Sequence, residues 1–594
     1  MRSALLFLAC SLLIGSALAA PQKPSPDSAS LNALANDFMR EFFSFNPSLG
    51  TRAGFHQYDS QMEDLSRDSF QRAAASYRRL EKRLVALSTK GLTPDELADR
   101  EMMLARIRAA SFDIDENRWW ESDPDRYSAT VSDSAFVLIS RNFASPEERL
   151  RALVARERRI PQLFAAARAN LKNPPRVLTQ IAIDQLPGII AFFQNDVPAS
   201  FATVKDAKLQ AEFKSTNQGV IQAMQLYLDF LRKNLLARSN GDFRLGPDRY
   251  AKKLLYEEMV DVPLPRLLEV GYANLRRNQQ EFERVTKLLD PAKTPQEILE
   301  DTQREHPTPD KLLDAFRSRL TGLREFIAQQ NIMSTPAQTL PVVQETPAFM
   351  RALTFASMDT PGPFEERATE AYFNVTLPEE DLTPQQLEEY MQGFSYGVIA
   401  STAIHEAFPG HYEQYLWNER VPSRIRRFLS LDMSFVGAHF SGTNVEGWAH
   451  YTEQMMLDEG YGRTPGLPEE KDEEFLKLRL GQLQDALLRN ARYVVAIEMH
   501  TGKMTVDEAI QFFQKEGYQP KPSATKEALR GTSDPTYLMY TLGKLQILKL
   551  REDFKKKMGA KFNLLDFHYR LMQQGVAPIK LVRRSMLGED SPAL

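Results

Sequence analysis

Residues 145–171 read SPEERLRALVARERRIPQLFAAARANL, and this stretch carries the pattern that decides the fold class. Its apolar residues recur at every third or fourth position, with Glu and Arg between them, which is typical of an amphipathic helix. Ser145 can cap the helix, and Pro146 suits its first position, where a backbone donor is not needed. We therefore predict a helix over Pro146 to Leu171.

The same spacing recurs along most of the chain, so we predict a mainly α, large multi-helix fold with a catalytic cleft and a minor β element. The other predicted helices are Leu31 to Phe45, Phe70 to Leu87, Pro94 to Ala110, Val204 to Leu236, Pro263 to Leu289, Pro295 to Glu305 and Pro309 to Gln330. Thr, Val and Pro are common from Ile332 to Pro378, which favours short strands there, and Ala371 to Leu377 is one candidate strand. This strand either aligns an extended substrate or belongs to a small structural hairpin.

Residues 1–20 have the features of a cleaved secretory signal. Arg2 supplies a positive start, Leu5 to Ile14 is apolar, and Ala17-Leu18-Ala19 resembles a small-residue cleavage site. We expect a secreted or periplasmic protein. A lipid anchor at Cys10 is the less favoured alternative, because the preceding residues form a poor lipobox and apolar residues continue beyond the cysteine.

The rest of the chain is expected to form a linker and a catalytic unit. Residues 21–30 are rich in Pro and Ser, and we predict a linker there. Residues 31–594 are predicted to form a single helical catalytic unit. An alternative organisation has two lobes, at about 31–240 and 241–594.

Composition narrows the class of partner. The 594 residues include 74 basic and 78 acidic side chains, which gives a net charge of −4. The sequence has no long basic run of the kind that binds nucleic acid or an anionic membrane. We expect the partner to be a small molecule or a peptide, with no nucleic acid and no stable membrane insertion. Since Cys10 is the only cysteine, the mature chain has no internal disulfide or thiol ligand, and a metal site must use nitrogen and oxygen donors.

The segment His405-Glu406-Ala407-Phe408-Pro409-Gly410-His411 holds two of the eight histidines and predicts a zinc site. Neutral imidazoles are good zinc ligands, and an adjacent carboxylate can take a proton from metal-bound water. Six residues at about 100° each would put His411 roughly 120° away from the helix face of His405. We therefore expect Pro409 and Gly410 to break the helix between the two histidines.

A catalytic zinc site needs a third protein ligand, and residues 444–451 supply two candidates. Glu446 and His450 lie four apart on a predicted helix, so both can face the same side. We favour Glu446, because two histidines and a glutamate form a known catalytic set, and His450 is then a supporting group or a substrate contact. His439, in a predicted loop, is a further candidate.

Several motifs together resemble the bacterial domain-of-unknown-function 885 family. They are the His-Glu-x-x-Pro-Gly-His signature, Glu-Gly-Trp-Ala at 446–449, the run from Tyr540 to Leu548, and the segments 47–54 and 562–578. The resemblance implies a helical, metallopeptidase-like, thermolysin-like zinc enzyme. It also implies zinc ligands at His405, His411 and Glu446, and a general base at Glu406.

The C-terminal region offers candidates for the remaining roles. Hydrolysis creates an oxyanion that preorganised donors stabilise, and we prefer Tyr540 for this role, with His500 and Tyr537 as alternatives. The cations that can bind the terminal carboxylate of a peptide are Lys544, Arg489 and Arg492.

The sequence therefore predicts a zinc metallopeptidase that cleaves peptides without a covalent intermediate. Two alternatives stay open: a zinc-dependent amide or ester hydrolase acting on a non-peptide substrate, and a non-catalytic zinc- or peptide-binding protein.

Overall fold

The computed structural model describes residues 25–336, 339–347, 351, 354–379, 381–431 and 440–594. The predicted signal peptide, Cys10 and His439 lie outside the described residues. The elements up to residue 330 are α1 (Pro26–Phe45), α2 (Pro47–Arg52), α3 (Arg67–Ala86), α4 (Pro94–Phe112), α5 (Trp119–Ser122), α6 (Asp125–Ile139), α7 (Pro146–Glu157), α8 (Ile160–Asn170), α9 (Arg176–Gln194), α10 (Asp196–Ser200), α11 (Ala207–Phe230), α12 (Pro247–Glu258), α13 (Leu264–Leu289), α14 (Pro295–Gln303) and α15 (Leu312–Gln329). They are followed by β1 (Val342–Glu345), β2 (Ala356–Asp359), β3 (Tyr372–Val375), α16 (Pro384–Met391), α17 (Tyr396–Glu406), α18 (His411–Asn418), α19 (Arg424–Leu429), α20 (Gly442–Asp458), α21 (Glu473–His500), α22 (Val506–Lys515), α23 (Lys521–Ser533), α24 (Met539–Met558), α25 (Leu564–Met572) and α26 (Ile579–Leu587).

The mainly α prediction is confirmed, but residues 145–171 form two helices, α7 and α8, instead of one. Ser145 caps α7 as expected: its hydroxyl accepts from the Glu148 amide at 3.2 Å, and the Glu148 carboxylate accepts from the Ser145 amide at 3.0 Å. Pro161 lies in the first turn of α8. Its ring would clash with the carbonyl four residues earlier, at Glu157, where α7 ends.

The first helix begins earlier than the sequence pattern predicts. Ser25 caps α1 by accepting from the Ser28 amide at 3.0 Å, and Pro26 takes the first turn. Residues 26–30 are therefore helical, and the prediction of a linker over residues 21–30 extends too far.

The sheet has the order β1-β3-β2, in which β3 is parallel to β1 and antiparallel to β2. The predicted strand over 371–377 is confirmed as β3. Since β3 pairs on both sides, it cannot itself accept an extended substrate. Only an edge strand, β1 or β2, could pair with a substrate backbone. On β2, the Met358 amide donates to the carboxylate of Glu406.

The largest hydrophobic core joins the beginning of the chain to its end. Phe38, Phe42 and Phe43 of α1 pack edge-on against Phe428 of α19, with ring centroids 5.2 to 5.4 Å apart. The same core continues through α17, α20 and α24 to Met586. A boundary near residue 240 would therefore cut through this core, whereas a second core lies almost entirely within residues 65–235.

By length and composition, one stretch of the described chain is apolar enough to cross a membrane. It is Arg176–Ser200, and 44% of its apolar window is buried inside the structure. A core helix of a soluble protein passes the same test.

Candidate metal centre

The structure brings His405, His411 and Glu446 together. Their donor atoms all lie within 4.8 Å of one another. Glu446 Oε2 is 3.5 Å from His405 Nε2 and 3.4 Å from His411 Nε2. The two imidazole rings are perpendicular, with centroids 4.7 Å apart, so two nitrogens and one carboxylate oxygen converge on one point.

The break between α17 and α18 makes this convergence possible, as the sequence predicted. Helix α17 ends at Glu406, the Phe408–Pro409 peptide bond is cis, and α18 begins at His411. A Cβ at position 410 would lie 1.8 Å from the carbonyl oxygen of His405, so only glycine fits at this position. The Trp448 indole of α20 donates to the Pro409 carbonyl at 2.8 Å and ties the junction to the helix that carries Glu446.

The three side chains fit a zinc ion. Glu446 Oε2 is buried, and its 3.4 to 3.5 Å distances are too long for well-formed hydrogen bonds. A buried carboxylate oxygen without a hydrogen bond is energetically costly unless it binds a cation. Two imidazoles and one carboxylate are the donor set of one class of catalytic zinc site, which leaves a position open.

Glu453, which the sequence analysis missed, holds the first histidine from behind. It is fully buried, and its Oε1 is 2.7 Å from His405 Nδ1 and 3.2 Å from an Arg489 nitrogen. This contact turns His405 Nε2 towards the cluster, as outer carboxylates do for metal-binding histidines. Glu453 lies seven residues after Glu446 on α20, a helical spacing that could have revealed it.

The alternative ligand His450 lies outside the cluster. Its Nδ1 is 3.0 Å from Glu453 Oε2. Burial, together with nearby Lys544, lowers the pKa of His450 to about 3, so its ring is neutral. Of the two candidates on α20, the structure brings only Glu446 to His405 and His411.

Glu406 lies next to the ligand set. Burial raises the pKa of its carboxyl, while the charges of His405 and His411 oppose the rise. The Met358 amide of β2 donates to the same carboxylate. The predicted base is thus fixed between the cluster and the edge strand.

Tyr540 is also close to the cluster. Its ring is nearly parallel to that of His405, with centroids 6.5 Å apart, and the Arg489 and Arg492 guanidinium groups lie 5.7 and 5.2 Å from its centroid. Burial raises the pKa of the phenol, so it keeps its proton. The nearby Arg530 and Arg492 guanidinium groups oppose this rise in the pKa of Tyr540.

The two alternative oxyanion donors lie elsewhere. His500 Nε2 is 2.7 Å from the Gly531 carbonyl, and its ring stacks on Tyr250 with centroids 5.9 Å apart. Tyr537 is fully buried beneath Arg530, whose guanidinium carbon is 5.9 Å from its ring. Among the described residues, no contact joins either side chain to the ligand set.

Of the three cations predicted to bind a substrate carboxylate, two are paired within the protein and the third is buried. Arg489 pairs with Glu453, and Arg492 forms two bonds to Glu527 at 2.6 and 2.8 Å. Lys544 is 2% exposed, and burial lowers its pKa to about 8. Arg530, which the sequence analysis did not single out, lies instead on a cavity wall.

A cavity of about 1350 Å³ is lined by residues that interact with Glu406 and Tyr540, but by none of the three ligand residues themselves. Its walls include Ser357, Met358 and Asp359 of β2 and Lys526 and Arg530 of α23. Residues of α5, α6 and α9 line it as well. Met358 and Arg530 connect this space to the centre, because one contacts Glu406 and the other contacts Tyr540.

Comparison with known proteins finds similarity over nearly the whole chain. The family model described as bacterial protein of unknown function, DUF885, matches residues 47–586. A solved structure of a candidate lipoprotein of unknown function from Shewanella oneidensis is 26% identical, with a TM-score of 0.77, and the match covers 94% of this chain and 99% of that chain. A candidate lipoprotein from Colwellia psychrerythraea has the same coverage and TM-score at 18% identity, which shows the fold alone. No curated protein matches the chain.

Proposed function

The chain belongs to the DUF885 family of bacterial proteins of unknown function, and from this premise we propose that it is a zinc-dependent metallopeptidase. The observation that carries the proposal is the convergence of His405 Nε2, His411 Nε2 and Glu446 Oε2 beside Glu406. A purely structural zinc site has no use for a base and fills its fourth position with protein.

His405, His411 and Glu446 would hold the zinc ion. Bound there, zinc would supply Lewis-acid activation of water and of the scissile carbonyl. Glu453 acts as a positioning residue, because it fixes the orientation of the His405 ring.

The protein's own groups account for the proton transfers. Glu406 takes the proton of the attacking water and returns it to the leaving amine, while the Met358 amide fixes its carboxylate. Tyr540 donates its hydroxyl proton in a hydrogen bond to the developing oxyanion.

A peptide suits the surroundings of this centre better than a small ester. The edge strand β2 can add a backbone partner beside Glu406, and the 1350 Å³ cavity exceeds the usual range for a single small-molecule site. We propose a peptide substrate, with no role for nucleic acid or membrane insertion.

We also propose that the protein acts in the cell envelope. The start of the sequence supports export, and both similar proteins are described as candidate lipoproteins. Lipid attachment at Cys10 thereby becomes more strongly supported than the sequence pattern alone made it. Labelling with a radioactive fatty acid would be lost in Cys10→Ser if the protein is acylated, and an unlabelled wild type would support cleavage after residue 19.

The decisive experiment combines metal analysis with hydrolysis of a mixed peptide library. We expect about one zinc per chain, and cleavage that a chelator abolishes and added zinc restores. His411→Ala should lose both the metal and cleavage. Zinc without cleavage would favour a different amide or ester substrate or a binding role, and a metal-free protein after reconstitution would overturn the proposal.

A further inference from the structure

Helix α23 presents two cations to the cavity beside the metal centre. Lys526 and Arg530 are four residues apart, so they lie on the same face of the helix, and both line the cavity. The Arg530 side chain is 37% accessible. Unlike Arg489 and Arg492, it therefore has surface that a ligand in the cavity can reach.

The hydrogen bonds of Arg530 use one edge of its guanidinium group. Nε and Nη2 both donate to a single oxygen of Asp534, at 3.3 and 3.1 Å. These bonds to Asp534 leave the other edge, formed by Nη1 and Nη2, with spare donors, and the guanidinium also interacts with the phenol of Tyr540. A guanidinium edge of this kind has more donors than one phenol can use, and two parallel N–H groups match a carboxylate.

We propose that Arg530 binds the terminal carboxylate of the substrate, so that the enzyme removes short fragments from the C-terminal end of peptides. This inference rests on the proposed peptidase function and specifies its substrate class.

The position of Arg530 sets the length of the fragment. Its guanidinium interacts with the Tyr540 phenol, and the Tyr540 ring is 6.5 Å from the His405 ring. An extended peptide advances about 3.3 to 3.6 Å per residue. A carboxylate bound at Arg530 therefore lies within a few residues of the scissile bond, and the products are short.

The test compares amino-blocked peptides that differ only at the C-terminus, one set with a free acid and one with an amide. We expect wild type to cleave the acid with a kcat/KM about 10- to 100-fold higher, as a charged hydrogen-bond pair predicts. Mass spectrometry should show fragments released from the C-terminal end. Arg530→Gln should bring the acid and amide rates together, mainly through KM, and Arg530→Lys should restore part of the preference.

Arg249→Gln is the matched control, because Arg249 also lines the cavity but donates to the Leu245 carbonyl of its own chain segment at 2.8 Å. It should keep the wild-type preference for the acid. Equal cleavage of acid and amide by wild type, or an unchanged preference in folded Arg530→Gln, would overturn the inference while leaving the peptidase proposal intact.

If wild type cleaves neither peptide, the peptidase proposal fails, and binding still decides the role of Arg530. Calorimetry with Glu406→Gln would then compare the acid and amide peptides directly. Tighter binding of the acid that Arg530→Gln abolishes would support the carboxylate site, and equal or absent binding would overturn it.

Discussion

Two carboxylates on α20 have opposite surroundings, although they lie about two helical turns apart on the same helix. Glu446 Oε2 faces two imidazoles at 3.4 to 3.5 Å without a well-formed hydrogen bond. Glu453 is fully used, since it contacts His405, His450 and Arg489. One carboxylate is therefore available to a cation, and the other orients a ligand.

At the residue scale, Glu406→Gln should separate zinc binding from turnover. Glutamine keeps the size of the side chain but cannot accept a proton, so we expect full zinc content and a loss of kcat of about 10²- to 10⁴-fold. Glu419→Gln, an exposed position on the turn after α18, should keep wild-type activity. Zinc content and peptide cleavage measured on the same samples check this, and an active Glu406→Gln would exclude Glu406 as the base.

His568 should make the protein less stable in acid. Its Nδ1 is 2.8 Å from the Ile332 carbonyl and its Nε2 is 2.9 Å from the Tyr451 hydroxyl, and burial is the main reason that its pKa falls to about 3. Because the unfolded chain takes up this proton near pH 6.5, the stabilisation is complete above that pH and declines as the pH falls towards 3. At pH 5 the loss is about 2 kcal/mol.

The comparison for this prediction is His568→Gln, measured by urea unfolding at pH 7.5 and pH 5. Glutamine does not titrate, so the free-energy difference between wild type and variant should narrow by about 2 kcal/mol at pH 5. A difference that stays constant between the two pH values would show that His568 does not contribute this pH dependence.

At the scale of elements, two helices cross where glycine faces glycine. A Cβ on Gly447 of α20 would lie 2.4 Å from the Cα of Gly543 on α24, and a Cβ on Gly543 would lie 1.8 Å from the Thr443 carbonyl oxygen. Glu446 precedes the first glycine, and Tyr540 lies one turn before the second. The crossing therefore sets the separation of the proposed ligand and the proposed oxyanion donor.

Gly543→Ala should force these helices apart. Overpacking of a close contact costs about 1 to 3 kcal/mol, so we expect a lower melting temperature and a larger proportional loss of peptide cleavage. Gly219→Ala is the control, because its helical position has no atom within 4 Å of the added Cβ and alanine favours the helix. An unchanged melting temperature and activity in Gly543→Ala would show that the crossing tolerates a side chain.

The elements were predictable where the signal is local. The helix-breaking Pro409 and Gly410, the Ser145 cap and the strand at 371–377 follow from neighbouring residues. The division of residues 145–171 was missed, because the apolar spacing continues across Pro161. This proline is unfavourable inside a helix and suits the start of a new one, so it marks the division. Strands β1 and β2 lie in the stretch 332–378, where composition favoured short strands, but their bounds depend on long-range pairing with β3, which no local pattern reveals.

The same distinction holds for the site. His405 and His411 lie in one short motif, in which Pro409 and Gly410 predict the helix break that lets the two rings converge, and Glu446 follows from the need for a third ligand in residues 444–451. The engagement of Arg489 by Glu453 and the contact of Arg530 with Tyr540 depend on how α20, α21, α23 and α24 pack. Spacing within one helix does not reveal such contacts. The binding of a substrate carboxylate was therefore assigned to cations that are buried or paired inside the protein.

At the scale of the whole molecule, the principal core is built from distant parts of the chain. Helices α1, α3 and α4 contribute side chains that pack with α15, α17, α20 and the C-terminal helices. Removing the C-terminal part would expose Phe38 and Phe42, which are at most 2% accessible. The first 240 residues therefore lack the partners that bury this surface.

A fragment of residues 25–240 should consequently fail to unfold cooperatively on its own. We expect residues 25–594 to show a sharp thermal transition, and the fragment to melt gradually and bind a hydrophobic dye. Circular dichroism and dye fluorescence measure the two properties. A sharp transition without dye binding in the fragment would support two independently folding lobes.

The shared engagement of Glu453 has a consequence for inheritance. Replacing Glu453 would leave the buried guanidinium of Arg489 without this carboxylate partner and remove the contact that orients the His405 ring. Replacing Arg489 would remove the cation that pairs with the buried Glu453 carboxylate. Single substitutions at these positions are therefore costly, and a compensated double change is much less so. Among related sequences, the residues at positions 405, 453 and 489 should therefore be conserved together. In relatives that have lost the proposed activity, all three should be substituted together.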